Sequence, residues 1–226
     1  MTSHGSGSEK LNIPKHHLQT RDGLNMMDNN SLAILLAMII AYLIGSLPTG
    51  IIATKLFNKP DVRYSGSGHT GGTNTMKIAG PRIGGAVAGV DGLKGLVAYG
   101  VAFIITQGWF WALPLAGVMA VIGHCFPIYT KFHGGMGLAT AGGLMIIFSP
   151  WTIVFAVPTW AVIYVWLYHK QHSPRSVTIA LPIAVGLTFG LDNLGIISVR
   201  QDVQWFLILV TILIILRHLP EWNRKT

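Results

Sequence analysis

Charge is scarce in this sequence: only 11% of its 226 residues are Asp, Glu, Lys or Arg, against about a quarter in an ordinary soluble domain. That deficit excludes a solvated surface of normal size. Cysteine is scarcer still. The single Cys125 lies inside an apolar run, which excludes an internal disulfide and a secreted disulfide scaffold. Acids number 8 against 16 lysines and arginines, for a formal net charge of +8. No long basic stripe interleaved with aromatics accompanies that balance, so nucleic acid is not the implied partner. No HExxH or comparable ligand spacing is present, and no metal is expected. No GxSxG elbow surrounds Ser67, which argues against a hydrolase nucleophile.

What the chain has in quantity is apolar sequence, 51% of all residues. Residues 1–30 are the exception. They are polar, mixed in charge and without the apolar stretch of a signal peptide, and are expected to form a disordered leader. Met26 and Met27 are plausible alternative starts, and His16–His17 reads as part of a solvated tail. Residues 31–226 are expected to form a single membrane domain, all-α, because apolar runs recur throughout and each bilayer span needs about 20 such residues. Runs at 31–57, 83–106, 111–130, 138–148, 151–168, 176–191 and 203–216 predict about seven transmembrane helices. The fourth is short for a span and is expected to be a thin or recessed helix. The first is interrupted by Gly45, Pro48 and Gly50, a break tolerated where neighbouring helices satisfy the freed backbone. Residues 58–82 read as a polar loop.

Charge orients these spans. Alternate connections carry Lys55, Lys59, Arg63, Lys77 and Arg82; then Lys131; then Lys170 and Arg175; then Arg217, Arg224 and Lys225. The intervening connections carry only Arg200. The positive-inside rule then places the C-terminus in the cytoplasm and the N-terminus outside, although Lys10, Lys15 and Arg21 of the leader run against it.

Four polar constellations stand out. In SGSGHTGGTNTMK (65–77), closely spaced glycines let backbone N–H groups turn inward and cradle an anion; a flexible loop of small residues is the bland alternative. HGGMG (133–137) opens onto a helix N-terminus, where free N–H groups and the positive dipole end suit a phosphate, or where a bent helix start needs close packing. Asp91 and Lys94 sit inside the second span at a spacing that lets them pair. His124 and His218 fall near the same membrane level as the two glycine loops, suited to act as acid, base or donor, or as structural donors at helix ends.

Taken in order, these elements resemble the PlsY-type acyl-phosphate:glycerol-3-phosphate acyltransferases. The family pattern GSxPxG reads GSLPTG here (45–50). SGSGNxGATNxxR reads SGSGHTGGTNTMK (65–77), and DxxKG reads DGLKG (91–95). GHxxPxxxxFKGGKGxAT reads GHCFPIYTKFHGGMGLAT (123–140), and RHxxNxxR resembles RHLPEWNR (217–224). The resemblance covers residues 32–224.

It implies transfer of an acyl group from acyl phosphate to the sn-1 hydroxyl of glycerol 3-phosphate, giving lysophosphatidic acid and phosphate for phospholipid synthesis, without coenzyme A, metal or other cofactor. It implies a bacterial-type cell membrane location, with the site facing the cytoplasm. Ser67, Asn74, Lys77 and His218 are the implied catalytic residues. Gly68, His69, Thr73, His133, Gly134, Gly135, Gly137, Glu221 and Asn223 are the implied substrate- and phosphate-binding residues, supported by Asp91, Lys94 and His124. The departures are chemical. His69 replaces Asn, Gly72 replaces Ala, Lys77 replaces Arg, and His133 and Met136 replace two lysines; Pro220 and Glu221 fall around an asparagine position. Lysine keeps a charge but not the planar fork that grips phosphate. A retuned, non-catalytic relative binding a lipid or phosphometabolite is therefore the alternative reading. A small transporter, suggested by the broken first helix and the intramembrane ion pair, is the third.

Overall fold

The computed structural model describes residues 16–223, and among them every regular element is helical. Helix α1 (His16–Gly45) starts inside the polar segment expected to be a disordered leader; residues 1–15 lie outside the described residues. Three residues, Ser46 to Pro48, separate it from α2 (Thr49–Leu56). The break predicted from the glycines and proline is real. Its freed carbonyls are answered from α4 (Pro81–Ile105): Lys94 Nζ donates to Gly45 O at 3.3 Å and to Leu47 O at 2.8 Å. A cation at the C-terminal, negative end of α1 also complements its dipole.

The predicted loop at 58–82 is corrected in part, because it contains the helix α3 (Gly72–Ala79). Its glycines and threonines read as a loop by composition, but packing on α4 stabilises the helix. A Cβ at Gly72 would stand 2.7 Å from Ala88 Cβ, and one at Gly84 would stand 2.4 Å from Met76 Cα. Small residues at both positions let the two helices touch.

The remaining apolar runs fold as α5 (Ala112–Cys125), α6 (Leu138–Phe148), α7 (Pro150–Val162), α8 (Ser173–Asn193) and α9 (Gln201–His218). A π-turn, Ile163–Leu167, continues α7, and a 3-10 turn, Leu219–Glu221, follows α9. Five segments are long and apolar enough to cross a membrane: Ser31–Leu56, Pro81–Ile105, Pro150–Leu167, Ser173–Asn193 and Gln201–Glu221. Two shorter apolar segments, Pro114–Thr130 and Leu138–Phe148, accompany them. Helices α6 and α7 form a hairpin about Ser149, whose hydroxyl bonds Thr152 and through it reaches Thr188 of α8.

The core is interhelical and apolar. Phe206, Leu207 and Ile214 of α9, Leu144 of α6 and Val121 of α5 are fully buried. The outward faces carry Leu35, Ile39, Val97, Ile104, Ile146, Val154, Ile183 and Ile212, all exposed. Apolar side chains outside as well as inside are what a lipid-facing protein presents.

Candidate active site

Asn74 organises the first glycine loop. It is buried on α3, and its amide donates to Val62 O at 3.0 Å, Ser65 O at 3.0 Å and His69 O at 2.9 Å. Its Oδ1 accepts from Ser67 N at 2.8 Å. The side chain is therefore committed to folding residues 62–69 over α3, which gives it a positioning role, not a free amide for the substrate. Gly68 is a turn residue with its N–H on Ser65 O at 3.2 Å.

The second loop is fixed from two sides. Gly135 N donates to His124 O at 3.0 Å, and Gly135 O accepts from Arg217 Nε at 3.1 Å. A Cβ at Gly135 would stand 2.1 Å from His124 Nε2, so glycine is required for the imidazole to fit. Gly134 packs as closely on the carbonyls of His124 and Cys125. Of the two backbones expected to cradle a phosphate, Gly135 has its N–H already bonded to His124 O, and both residues pack against the end of α5. His133 turns outward, exposed, with Nδ1 2.8 Å from Lys131 O. Gly137 differs. At φ +85° it caps α6 in the left-handed region, which glycine adopts without strain.

One cavity of about 180 Å³ collects the rest. Ser67, His69, Thr73, Asn74 and Lys77 line it from the α3 side, and Asp91 and His124 from the helices behind. Met136, Gly137 and Leu138 line it from the α6 entrance, and His218 and Glu221 from the end of α9. Asn223 was expected here, yet its Oδ1 accepts from Arg175 Nη2 at 2.6 Å and it does not line the cavity.

Two contributors escaped the sequence reading. Ser173 and Pro174 bring the start of α8 to the same cavity. Three helix N-termini, those of α3, α6 and α8, therefore converge on it. A helix N-terminus presents its first-turn N–H groups and its positive dipole end, although Pro174 in the first turn of α8 has no N–H to offer. Arg217 was read as a topology charge and as the start of the RHLPEWNR motif, with no site role, yet it braces the loop, with its guanidinium 5.4 Å from the Phe126 ring. Sequence offered no signal for the start of α8, and for Arg217 only its place in the RHLPEWNR motif, since both roles depend on chain-distant contacts.

The ionisable groups behind the cavity are linked through Asp91 Oδ1, while Asp91 Oδ2 is buried with no hydrogen-bond partner among the described residues. Lys94 Nζ lies 2.8 Å from Asp91 Oδ1, which also accepts from Thr49 Oγ1 and lies 3.6 Å from His124 Nδ1. With its two backbone acceptors, Lys94 has all three ammonium donors occupied. This pair stitches α4 to the α1–α2 break, and it removes the main support for a transport role. His218 is buried, and its Nδ1 lies 2.8 Å from Ile214 O. A carbonyl can only accept, so in the neutral ring Nδ1 carries the proton and Nε2 keeps a lone pair. At the cavity mouth His69 Nε2 lies 3.6 Å from Glu221 Oε1.

A second cavity, of about 210 Å³, opens beside the first. Met145, Ile153, Val157, Trp160, Leu181 and Ile214 are among its lining, and Leu138 lines both cavities. A cavity lined by polar and ionisable side chains, sharing the Leu138 wall with an apolar one in an all-helical chain with lipid-suited outer faces, defines the class as a helical membrane protein.

Comparison with known proteins makes that class specific. The profile of the family described as glycerol-3-phosphate acyltransferase matches residues 35–225, and the chain belongs to that family. A glycerol-3-phosphate acyltransferase of Coxiella burnetii (strain CbuG_Q212) is 34% identical over 194 residues, covering 85% of this chain and 94% of the relative. One from Bacillus subtilis (strain 168) is 35% identical over 191 residues, covering 84% and 93%. Two crystal structures of PlsY, an integral membrane glycerol 3-phosphate acyltransferase, in its lysophosphatidic acid and glycerol 3-phosphate forms, superpose with TM-scores of 0.68 and 0.69. Both share 31% sequence identity and cover 84% of this chain and 90% of theirs.

Proposed function

We infer that the polar cavity is where this acyltransferase moves an acyl group from acyl phosphate to the sn-1 hydroxyl of glycerol 3-phosphate, in phospholipid synthesis. The observation that carries the assignment of the site is the shared Leu138 wall. It lets an acyl chain lie in the apolar cavity while its phosphate sits among the helix N-termini. The chain's burial there supplies binding energy at about 25 cal/mol per Å² of apolar surface.

In this reading Lys77 and the first N–H groups of α3 and α6 hold phosphate, with Gly137 opening the turn. His218 Nε2 accepts a hydrogen bond from the sn-1 hydroxyl and aligns it. Ser67 and Thr73 add neutral donors. The sn-1 oxygen bonds to the acyl carbon as the bond from that carbon to the phosphate oxygen breaks. The hydroxyl proton leaves with the released phosphate, so no separate protein base is consumed. Rate comes from positioning and from dipoles aimed at developing charge.

We further infer that α5 and α6 complete seven crossings, that residues 31–226 work as one membrane domain, and that the cavity faces the cytoplasm. Both glycine loops then share one membrane side with the basic connections. A retuned relative remains the second reading, favoured by Met136, an uncharged side chain at a family lysine position and on the cavity wall. Purified protein incubated with palmitoyl phosphate decides between them. The acyltransferase reading expects phosphate release and lysophosphatidic acid that both depend on glycerol 3-phosphate. Binding without turnover favours the retuned relative.

A further inference from the structure

Two departures from the family pattern meet in space. His69 stands where the pattern has asparagine. Counted from Arg217 in RHxxNxxR, Glu221 stands at that pattern's single asparagine. The two lie 152 positions apart by number (221 less 69), yet His69 Nε2 and Glu221 Oε1 are 3.6 Å apart across the cavity mouth. Both side chains are mostly buried, 15% and 20% exposed, and both line the cavity.

A carboxylate in a chamber for phosphate substrates needs a reason, because it repels a dianion. It is an acceptor only, so what it recognises is a donor. Phosphate oxygens and an acyl carbonyl are acceptors. The donors that glycerol 3-phosphate brings are its two hydroxyls, and one of these is the nucleophile. His218, one turn back on α9, is placed for the nucleophile, which leaves the secondary hydroxyl for the end of the tail. His69 Nε2 lies 3.6 Å from the carboxylate's Oε1, within ion-pair reach once the imidazole is protonated. The 3-10 turn Leu219–Glu221 fixes its height, and Arg175 Nε anchors that turn by donating to Trp222 O at 2.7 Å.

We propose that Glu221, positioned by His69, is the specificity residue that accepts the free secondary hydroxyl of the acceptor, so that this enzyme selects a vicinal-diol phosphate over a mono-alcohol phosphate. The inference rests on the acyltransferase reading. A charged acceptor discriminates more sharply than the amide it replaces, because hydrogen bonds to ionised groups are about twice as strong as neutral ones.

The test compares glycerol 3-phosphate with 3-hydroxypropyl phosphate, which keeps the phosphate and the primary hydroxyl but lacks the secondary one. Wild type, Glu221→Gln, Glu221→Ala and His69→Asn are assayed with palmitoyl phosphate in saturating amount. Wild type is expected to favour the diol at least tenfold in kcat/KM. Glu221→Ala should cut that preference about tenfold, mainly through KM for the diol, with Glu221→Gln between the two. His69→Asn should weaken the preference less than Glu221→Ala. An equal fall for both acceptors in Glu221→Ala and Glu221→Gln, with unfolding temperatures retained, would assign Glu221 a structural role and overturn the proposal. So would a wild-type enzyme that does not distinguish the two acceptors. A wild-type protein that acylates neither fails the acyltransferase reading itself, and this inference with it.

Discussion

Lys94 Nζ sits 2.8 Å from Asp91 Oδ1 and 2.8 Å from Leu47 O, so one buried ammonium joins a carboxylate on its own helix to the broken end of another. Removing one partner of such a pair leaves an uncompensated buried charge, at a cost of about 3–5 kcal/mol. Lys94→Met should therefore lower stability by that order, measured by denaturant or thermal unfolding in detergent. The double variant Lys94→Met/Asp91→Asn should recover part of the loss. A single variant as stable as wild type would show that the pair does not hold the break.

Asn74→Ala removes the amide that satisfies the Val62, Ser65 and His69 carbonyls. Unsatisfied buried groups cost about 1–3 kcal/mol each, so residues 62–69 should loosen before the rest of the chain. Limited proteolysis should cut within that loop, and acyltransfer should fall at least tenfold. Asn74→Asp, which keeps Oδ1 but loses both donors, should behave like the alanine variant. Unchanged protection in either variant would count against the clamp.

Glycines in this chain are not equivalent. Gly135→Ala drives a methyl to 2.1 Å from His124 Nε2, whereas a Cβ at Gly186 in α8 meets nothing within 4 Å. The first should abolish activity and destabilise. The second should be neutral or stabilising, since alanine is favoured over glycine in a helix by about 1 kcal/mol. Similar unfolding temperatures for the two variants would contradict the packing described here.

The missing lysines separate by position. Met136 lines the cavity and His133 does not. Met136→Lys should strengthen binding of acyl phosphate, because a charge-assisted hydrogen bond contributes about 1.5–3 kcal/mol, or tenfold and upward in affinity. His133→Lys alone should change it less than twofold. A gain from His133→Lys and none from a stable Met136→Lys would invert the assignment of the loop.

Topology has a direct check. In a Cys125→Ser background, Ser3→Cys should react with an impermeant thiol reagent on intact cells, and Lys225→Cys only after permeabilisation. Both cysteines reacting on one side would rule out an odd number of crossings.

Much of this protein is written locally. Unbroken apolar runs dictate membrane helices, since a backbone in lipid must satisfy its own hydrogen bonds. The observed α6 (Leu138–Phe148) coincides with its predicted span, because the glycines before it and Ser149–Pro150 after it punctuate the chain. The order of five short motifs was enough to place the family. What sequence did not decide is which side chain of each glycine loop faces the ligand. Met136 lies on the cavity wall while His133, three residues earlier, points away. That difference is set by Arg217 bonding Gly135 O across 82 positions and by the His124 ring filling the space a Gly135 side chain would need. Helix α3 was hidden for the same reason, its weak propensity overridden by packing on α4. The contribution of the α8 start and the His69–Glu221 contact arise only when chain-distant elements dock. Periodicity and composition report a residue's own helix, whereas the orientation of a loop is fixed by neighbours that the chain brings back from far away.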